Sequence, residues 1–182
     1  MGGRRRRRPT YDAVTAMRAD ELSALWSAHS TVVVYHDTID ATGDKTGSER
    51  RTPSACAEAI EEIVGLVRRF GKGRIRASRV LITADHGFLF QASALEPVDV
   101  LSEPAHGDQI VVKNRRYVLG RGLRDHPAFT HWPSAELGLD GDLQVQIARS
   151  LHRLRLPGAG LRFAHGGATL QEVVVPLVTL TR

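Results

Sequence analysis

Histidines and carboxylates of the kind that bind metal ions occur at three separate places in the chain. His86 follows one apolar run, in Thr-Ala-Asp-His-Gly, and His165 follows another, in Phe-Ala-His-Gly-Gly. A third segment holds Asp40 and Asp44 four residues apart, and Asp85 directly precedes His86. Three carboxylates close together would repel one another, and divalent cations remove that repulsion. Mixed carboxylate and imidazole ligation suits Zn²⁺ or Mn²⁺ better than Ca²⁺.

Brought together, these side chains could hold two divalent ions about 4 Å apart, which would clamp a phosphoryl group and stabilise its entering and leaving oxygens. Each motif also has an ordinary structural interpretation. Asp85-His86-Gly87 could be a cap and turn, and His165 could be a turn histidine. Asp40 and Asp44 could form Asx turns. A shared position for the three motifs is what favours a metal site.

The elements predicted to position these motifs form a strand–helix–strand unit. The apolar runs Thr31–Tyr35 and Val80–Ala84 are typical of buried strands. Between them, Thr52-Pro53 predicts the start of a helix whose apolar stripe runs from Ile60 to Phe70. A right-handed crossover would make the two strands parallel. The loops after both strands would then emerge at one edge of the sheet, where open α/β sheets bind ligands.

Beyond residue 91 the pattern indicates antiparallel pairing. Gln109–Lys113 and Arg116–Leu119 flank a two-residue turn and predict a hairpin. Leu143–Ile147 alternates between apolar and polar residues, which favours a strand. The last β-rich run, Val173–Leu180, is interrupted by Pro176, which predicts a sheet edge or a bulge. The fold class predicted from all these elements is α/β.

The composition is that of a globular domain, with 182 residues, 42% hydrophobic and 25% charged. No stretch approaches the roughly 18 apolar residues of a membrane span. The single cysteine, Cys56, excludes a disulfide framework and a cysteine-based zinc module, and it predicts a reducing, cytoplasmic location. The formal charge of +5 equals the contribution of Arg4–Arg8, in a segment 1–10 predicted to be a disordered tail. Such a tail could bind nucleic-acid phosphates, although a solvated terminus is the favoured interpretation.

Three segments of the chain together resemble the PglZ domain. They are residues 35–44 (YHDTIDATGD), 82–88 (ITADHGF) and 165–176 (HGGATLQEVVVP). The PglZ domain belongs to the alkaline phosphatase superfamily and is associated with phage-resistance systems of the Pgl and BREX type. The resemblance runs in order from about residue 30 to the C-terminus. It implies a three-layer alkaline-phosphatase-like sandwich with a mainly parallel sheet, to which the hairpin region is added.

The resemblance also implies a ligand set for two divalent ions, Zn²⁺ or Mn²⁺ with Mg²⁺ as an alternative. Asp85 and His86 match the residues that bind one ion. Asp40, Asp44 and His165 match those that bind the other. Asp44 stands where alkaline phosphatases commonly have histidine, which would make the site more negative and favour harder ions such as Mn²⁺ or Mg²⁺.

The superfamily's nucleophile is a serine or threonine after an early strand, and no such strand is predicted before Thr31. We therefore interpret residues 11–182 as the C-terminal part of a PglZ-type domain, incomplete at its N-terminal side and inactive as an isolated chain. An open sheet edge would be covered by a homodimer or by the missing half. Two functions follow as hypotheses: a metal-dependent hydrolase of phosphate mono- or diesters, and a catalytically inactive interaction module that docks other phage-defence proteins.

Two further groups of residues bear on the site. Gln171 and Glu172 lie shortly after the His-Gly-Gly turn, and we predict a hydrogen bond from one of them that orients His165. Arginines cluster near the hairpin, and we predict a solvated basic face for them rather than phosphate contacts. They are Arg115, Arg116, Arg121 and Arg124.

Overall fold

The computed structural model describes residues 8–71, 77–101 and 106–181. These residues form two compact units. Unit 1 consists of the described parts of Met1–Ala41, Pro53–Ile82 and Val178–Arg182, and unit 2 consists of those of Thr42–Thr52 and Thr83–Leu177. Of the predicted arginine tail only Arg8 is described, and it is exposed. The predicted solvated tail, and the nucleic-acid contact that is its alternative, therefore fall almost entirely outside the described residues.

Helices make up most of unit 1. In order along the described residues of both units the helices are α1 (Tyr11–Ala16), α2 (Ala19–Ala28), α3 (Thr38–Gly43), α4 (Thr52–Phe70) and α5 (Leu170–Val173), the last of which belongs to unit 2. Val14, Leu22 and Phe70 form the buried core of unit 1. The Arg69 guanidinium, in the last turn of α4, donates to backbone carbonyls at the end of α1. The predicted long helix is thus confirmed, and its C-terminal end is attached to α1.

The first strand of the predicted strand–helix–strand unit is not formed. Residues 31–34 have no regular secondary structure, and Tyr35 makes only an isolated parallel bridge with Thr10. The Tyr35 amide donates to the Pro9 carbonyl at 3.0 Å, and its carbonyl accepts from the Tyr11 amide at 2.7 Å. An apolar, β-branched run becomes a strand only where a neighbour supplies a hydrogen-bond ladder. Here the neighbouring segment turns into α1 after a single bridge.

The second predicted strand is present, with a different partner. It is β1 (Arg79–Thr83), and it pairs in a two-stranded sheet with β10 (Leu177–Thr181). The prediction that β1 lies beside the run before Tyr35 is therefore wrong for the described residues. The pairing joins two segments almost a hundred residues apart in the chain, so local sequence patterns could not indicate it.

Unit 2 contains the other strands. They are β2 (Leu89–Phe90), β3 (Val100–Leu101), β4 (Gln109–Lys113), β5 (Tyr117–Arg121), β6 (Phe129–Pro133), β7 (Gln144–Ala148), β8 (Arg153–Leu154) and β9 (Phe163–Ala164). The main sheet is antiparallel in the order β4-β5-β7-β6, which confirms the predicted hairpin and the predicted strand near residue 145. Two short pairs accompany it, β2 antiparallel to β9 and β3 parallel to β8.

The described residues form both helices and sheets, but α1–α4 all precede the strands in the chain and only α5 lies between two strands, so the regular alternation typical of an α/β fold is not seen among them. The three-layer arrangement and the mainly parallel sheet stay predictions from the resemblance. Within the segments that the structure describes, no helix is both long enough and apolar enough to cross a lipid bilayer.

Candidate metal centre

His165 is placed by the short strand β9 and by the turn that follows it. Phe163 and Ala164 are fully buried, and this burial fixes the backbone directly before His165. Gly166 then adopts a φ of 94°, in the left-handed region that glycine tolerates and other residues rarely enter. Gly43, at the end of α3, packs directly on the Phe163 ring. The sequence Phe-Ala-His-Gly thus encodes a buried anchor, the functional side chain and the turn that ends the strand.

His86 lies in a second turn, which follows β1. The backbone of Gly87 approaches the Gln171 carbonyl so closely that a Cβ at this position would overlap with it. The His86 Nδ1 atom lies 3.1 Å from the Gly87 carbonyl oxygen. A carbonyl oxygen only accepts, so Nδ1 carries the proton in this bond. In the neutral imidazole Nε2 is then the atom that can bind a metal.

The rings of His86 and His165, both in unit 2, are stacked face to face. Their centroids are 4.1 Å apart and their planes are inclined by only 3°. One ring nitrogen of His86 lies within 4.8 Å of one ring nitrogen of His165. The structure therefore brings together two imidazoles that are about 80 residues apart in the sequence.

Asp44 lies beside His165 but is already paired with a cation. Its Oδ1 atom is 3.6 Å from His165 Nε2 and accepts a hydrogen bond from the Arg115 guanidinium. Arg115 is buried, and its other nitrogen donates to the carbonyls of Gly160 and Phe163 at 3.1 and 2.8 Å. Arg115 therefore neutralises the Asp44 carboxylate in this structure. The role of Asp44 as a metal ligand stays a prediction.

The remaining two predicted ligands differ in their surroundings. Asp40 is partly buried and lies in α3, about one helical turn before Asp44. The Asp85 side chain is 83% exposed, with its Oδ1 atom 3.8 Å from His86 Nε2. Unit 2 thus gathers Asp44, His86 and His165, and it leaves Asp85 at the solvent-exposed side of His86.

The prediction that the arginines near the hairpin form a solvated face is wrong for Arg115 and Arg116, which are both buried. Both residues lie in the bend between β4 and β5, and their two guanidinium groups reach different carboxylates. Arg115 pairs with Asp44, and Arg116 pairs with Glu172. A run of two arginines at a hairpin turn does not distinguish this arrangement from a basic surface.

The side-chain carboxylate of Glu172 contacts the backbone of the turn that follows His165. Its Oε1 atom accepts the Gly167 amide at 2.9 Å. Burial raises the pKa of Glu172, but hydrogen bonds from Arg116 and Thr169, the Arg116 charge and the Gly167 amide outweigh burial and hold the pKa below its ordinary value. Gln171 takes part through its carbonyl, which lies against Gly87. The predicted orienting bond to the imidazole itself stays a prediction.

A family model and two curated relatives both relate this chain to the PglZ domain that its sequence motifs resemble. Residues 4–180 match the family described as the BREX system PglZ alkaline phosphatase-like domain. The chain is 33% identical over 153 residues to the alkaline phosphatase-like protein BrxZ of Escherichia coli O9:H4 (strain HS), a match that covers 84% of the chain and 18% of that protein. It is 28% identical over 169 residues to the alkaline phosphatase-like protein PglZ of Bacillus cereus (strain H3081.97), covering 92% and 19%. The chain therefore spans less than a fifth of the length of these relatives.

Proposed function

The chain belongs to the PglZ family of BREX-system alkaline phosphatase-like domains, and on that premise we propose that it forms the metal-binding part of a phosphoesterase in a phage-defence protein. The proposed reaction is hydrolysis of a phosphate mono- or diester. The observation that supports it best is the stacking of His86 and His165 at 4.1 Å on two glycine turns. Parallel imidazoles beside a carboxylate are a donor set that suits Zn²⁺ or Mn²⁺.

The proposed ligands are those that the resemblance implies for two ions. Asp40, Asp44 and His165 would hold one ion, and Asp85 with His86 would hold the other. Within unit 2 the structure places the rings of His86 and His165 close together. Asp44 could bind its ion only by sharing its carboxylate with Arg115 or by leaving Arg115.

The proposed division of labour gives each side chain a distinct task. A bound divalent ion supplies Lewis-acid polarisation of the phosphoryl oxygens. His86 would bind the ion through Nε2, because Nδ1 is engaged by the Gly87 carbonyl. Arg115 limits the negative charge beside His165, which favours entry of an anionic phosphate ester. The nucleophile, a hydroxyl or an activated water, is assigned to another part of the full-length protein.

Metal binding is the first test of this proposal. The chain, freed of metal and titrated with Zn²⁺ or Mn²⁺ alone in a calorimeter, should bind the ion, and His165→Ala should weaken binding at least 100-fold. His106→Ala removes an exposed histidine of the same unit and serves as the matched control. Equal affinities for the wild-type chain and His165→Ala would refute the proposed centre.

Activity is tested on the full-length protein, because the chain covers less than a fifth of its relatives. Hydrolysis of p-nitrophenyl phosphate or of its bis ester, dependent on added Zn²⁺ or Mn²⁺ and lost in His86→Ala, supports the enzyme. Turnover that is unchanged in His86→Ala and His165→Ala would exclude these histidines from the reaction.

Exposed apolar side chains favour the interaction module as a second candidate function. Leu81 on β1 is 58% exposed, and Val178 and Leu180 on β10 are 45% and 41% exposed. Such side chains on a paired strand favour docking of another protein surface. Other phage-defence proteins are the proposed partners. Metal binding by the full-length protein without hydrolysis of either ester, together with binding of a defence partner that Leu81→Asp abolishes, would favour this second function.

A further inference from the structure

The turns that carry His86 and His165 are both attached to one residue. The backbone carbonyl of Glu172 accepts the Gly87 amide at 2.8 Å, next to His86. The side-chain carboxylate of Glu172 accepts the Gly167 amide at 2.9 Å, two residues after His165. A shift of Glu172 would therefore displace both turns, and with them the separation of the two imidazoles.

The Glu172 carboxylate is held by a guanidinium from the hairpin. Arg116 Nε donates to Oε1 at 2.8 Å, and Arg116 Nη2 donates to Oε2 at 2.9 Å, which is the bidentate geometry of a strong ion pair. Both side chains are fully buried. Arg116 also donates to the carbonyls of Ser150 and His152, so its position is fixed from two sides.

The same carboxylate also fixes the start of α5. Thr169 Oγ1 donates to Glu172 Oε2 at 2.8 Å, and the Thr169 amide points to the same oxygen at 3.3 Å. The bond from the Thr169 amide to the Glu172 side chain is one half of the capping box that starts α5. Glu172 thus accepts hydrogen bonds from Arg116, Thr169 and Gly167 at once, and these donors hold both carboxylate oxygens.

We propose that Arg116 and Glu172 are positioning residues that set the spacing of His86 and His165 by holding both histidine turns. The proposal rests on the proposed metal centre and extends it to a pair of charges that contact neither imidazole. A buried ion pair contributes little net stability compared with apolar side chains of similar size. Apolar side chains, however, could not accept the Gly167 amide, so the pair does something for the turn that packing cannot.

The test separates positioning from stability by means of a double substitution. In Arg116→Met/Glu172→Met the two buried charges are replaced together. The free energy of unfolding should therefore fall far less than it does when only one partner is removed. Metal affinity, measured with Zn²⁺ alone, should fall about 10- to 100-fold, which is typical when a group that orients a ligand is lost. Amide hydrogen exchange at Gly87 and Gly167 should accelerate whether or not metal is present.

Glu172→Gln and Glu49→Gln complete the design. The amide of Glu172→Gln keeps one acceptor, so it should retain part of the Gly167 protection if the double substitution fails to fold. Glu49 is another buried carboxylate of unit 2, and it accepts the Arg162 amide at 2.7 Å. Glu49→Gln should lower the stability while leaving the exchange of Gly87 and Gly167 unchanged.

Two results would overturn the proposal. The first is unchanged amide protection at Gly87 and Gly167 in every folded Glu172 variant. The second is wild-type Zn²⁺ affinity in a variant whose turns have lost their protection. If the wild-type chain binds no metal, the proposed function fails, and the exchange measurement still decides whether the pair holds the turns.

Discussion

The histidine turns of unit 2 and the strand pair β1–β10 differ in which side chains they bury and which they expose. In the turns, charged groups are buried and paired, with Arg116 and Glu172 both at 0% side-chain exposure. In the strand pair, apolar side chains face solvent, and all five residues of β10 are exposed. A buried charge is tolerated only with its partners in place, whereas an exposed apolar strand favours association with another surface.

The contrast shows where each set of side chains finds its partners. The polar groups around Glu172 find acceptors and donors within unit 2. The side chains of Leu81, Val178 and Leu180 have no such cover within the described residues. We therefore expect substitutions within the histidine turns to lower the free energy of unfolding. Substitutions of exposed residues on the strand pair should instead alter the binding of another protein surface.

Gly87→Ala should give the largest effect. Its Cβ would overlap with the Gln171 carbonyl, and since that atom belongs to the backbone, either the turn or α5 must move. Overpacking of this kind costs about 1–3 kcal/mol. Chemical denaturation followed by amide signals of unit 2 would measure the loss, and metal affinity should fall with it. Gly47→Ala is the control, because a Cβ at Gly47 meets no atom within 4 Å. Equal stability of the two variants would contradict the close approach.

Acidification should act on the turns with a smaller effect. The lowered pKa of Glu172 means that the folded state binds its proton less readily than the unfolded state does. Glu172 therefore stabilises the fold at neutral pH, and this stabilisation is lost as the pH falls through the lowered, folded-state pKa. Denaturation of metal-free protein across the acidic range should show the loss in the wild type. Glu172→Gln should be less stable at neutral pH and should lack this part of the pH dependence. An identical pH profile for the two proteins would exclude the ion pair as its source.

Gly65→Ala should show a modest effect of opposite sign in unit 1. Gly65 is exposed within α4, and a Cβ there meets no atom within 4 Å. Alanine in a helix interior is favoured over glycine by roughly 0.5–1 kcal/mol. Thermal unfolding followed by signals of α4 should shift upward. A destabilised variant would show that α4 makes a contact at this face.

Val178→Thr should give the smallest change in stability. Threonine keeps the β-branched shape and the strand propensity of valine, and exposed substitutions usually alter stability by less than about 0.5 kcal/mol. If the strand pair is a docking surface, association of the chain should decrease nonetheless. Sedimentation velocity over a range of concentrations would measure this association. A large loss of stability would show instead that Val178 belongs to a packed core.

Sequence patterns predicted the elements whose signals are local. Helix α4 was indicated by its apolar stripe, the β4–β5 hairpin by two short runs around a turn, and β7 by its alternation. The run Thr31–Tyr35 misled, because its apolar character indicates burial but says nothing about which segment lies beside it. Arg116 misled for the same reason, since its type predicts exposure unless a distant carboxylate is known.

The sequence alone determines the chemistry of the candidate site and where that chemistry occurs in the chain. It places histidines directly after short apolar runs, glycines directly after those histidines, and two carboxylates four residues apart. These are properties of single residues and their neighbours. The fold decides which charge meets which, for Arg115 pairs with Asp44 across 71 residues and Arg116 pairs with Glu172 across 56. Such pairs form only where the packed backbone brings the two partners together, because a buried guanidinium such as Arg115 or Arg116 needs a carboxylate and other acceptors to offset the cost of its burial.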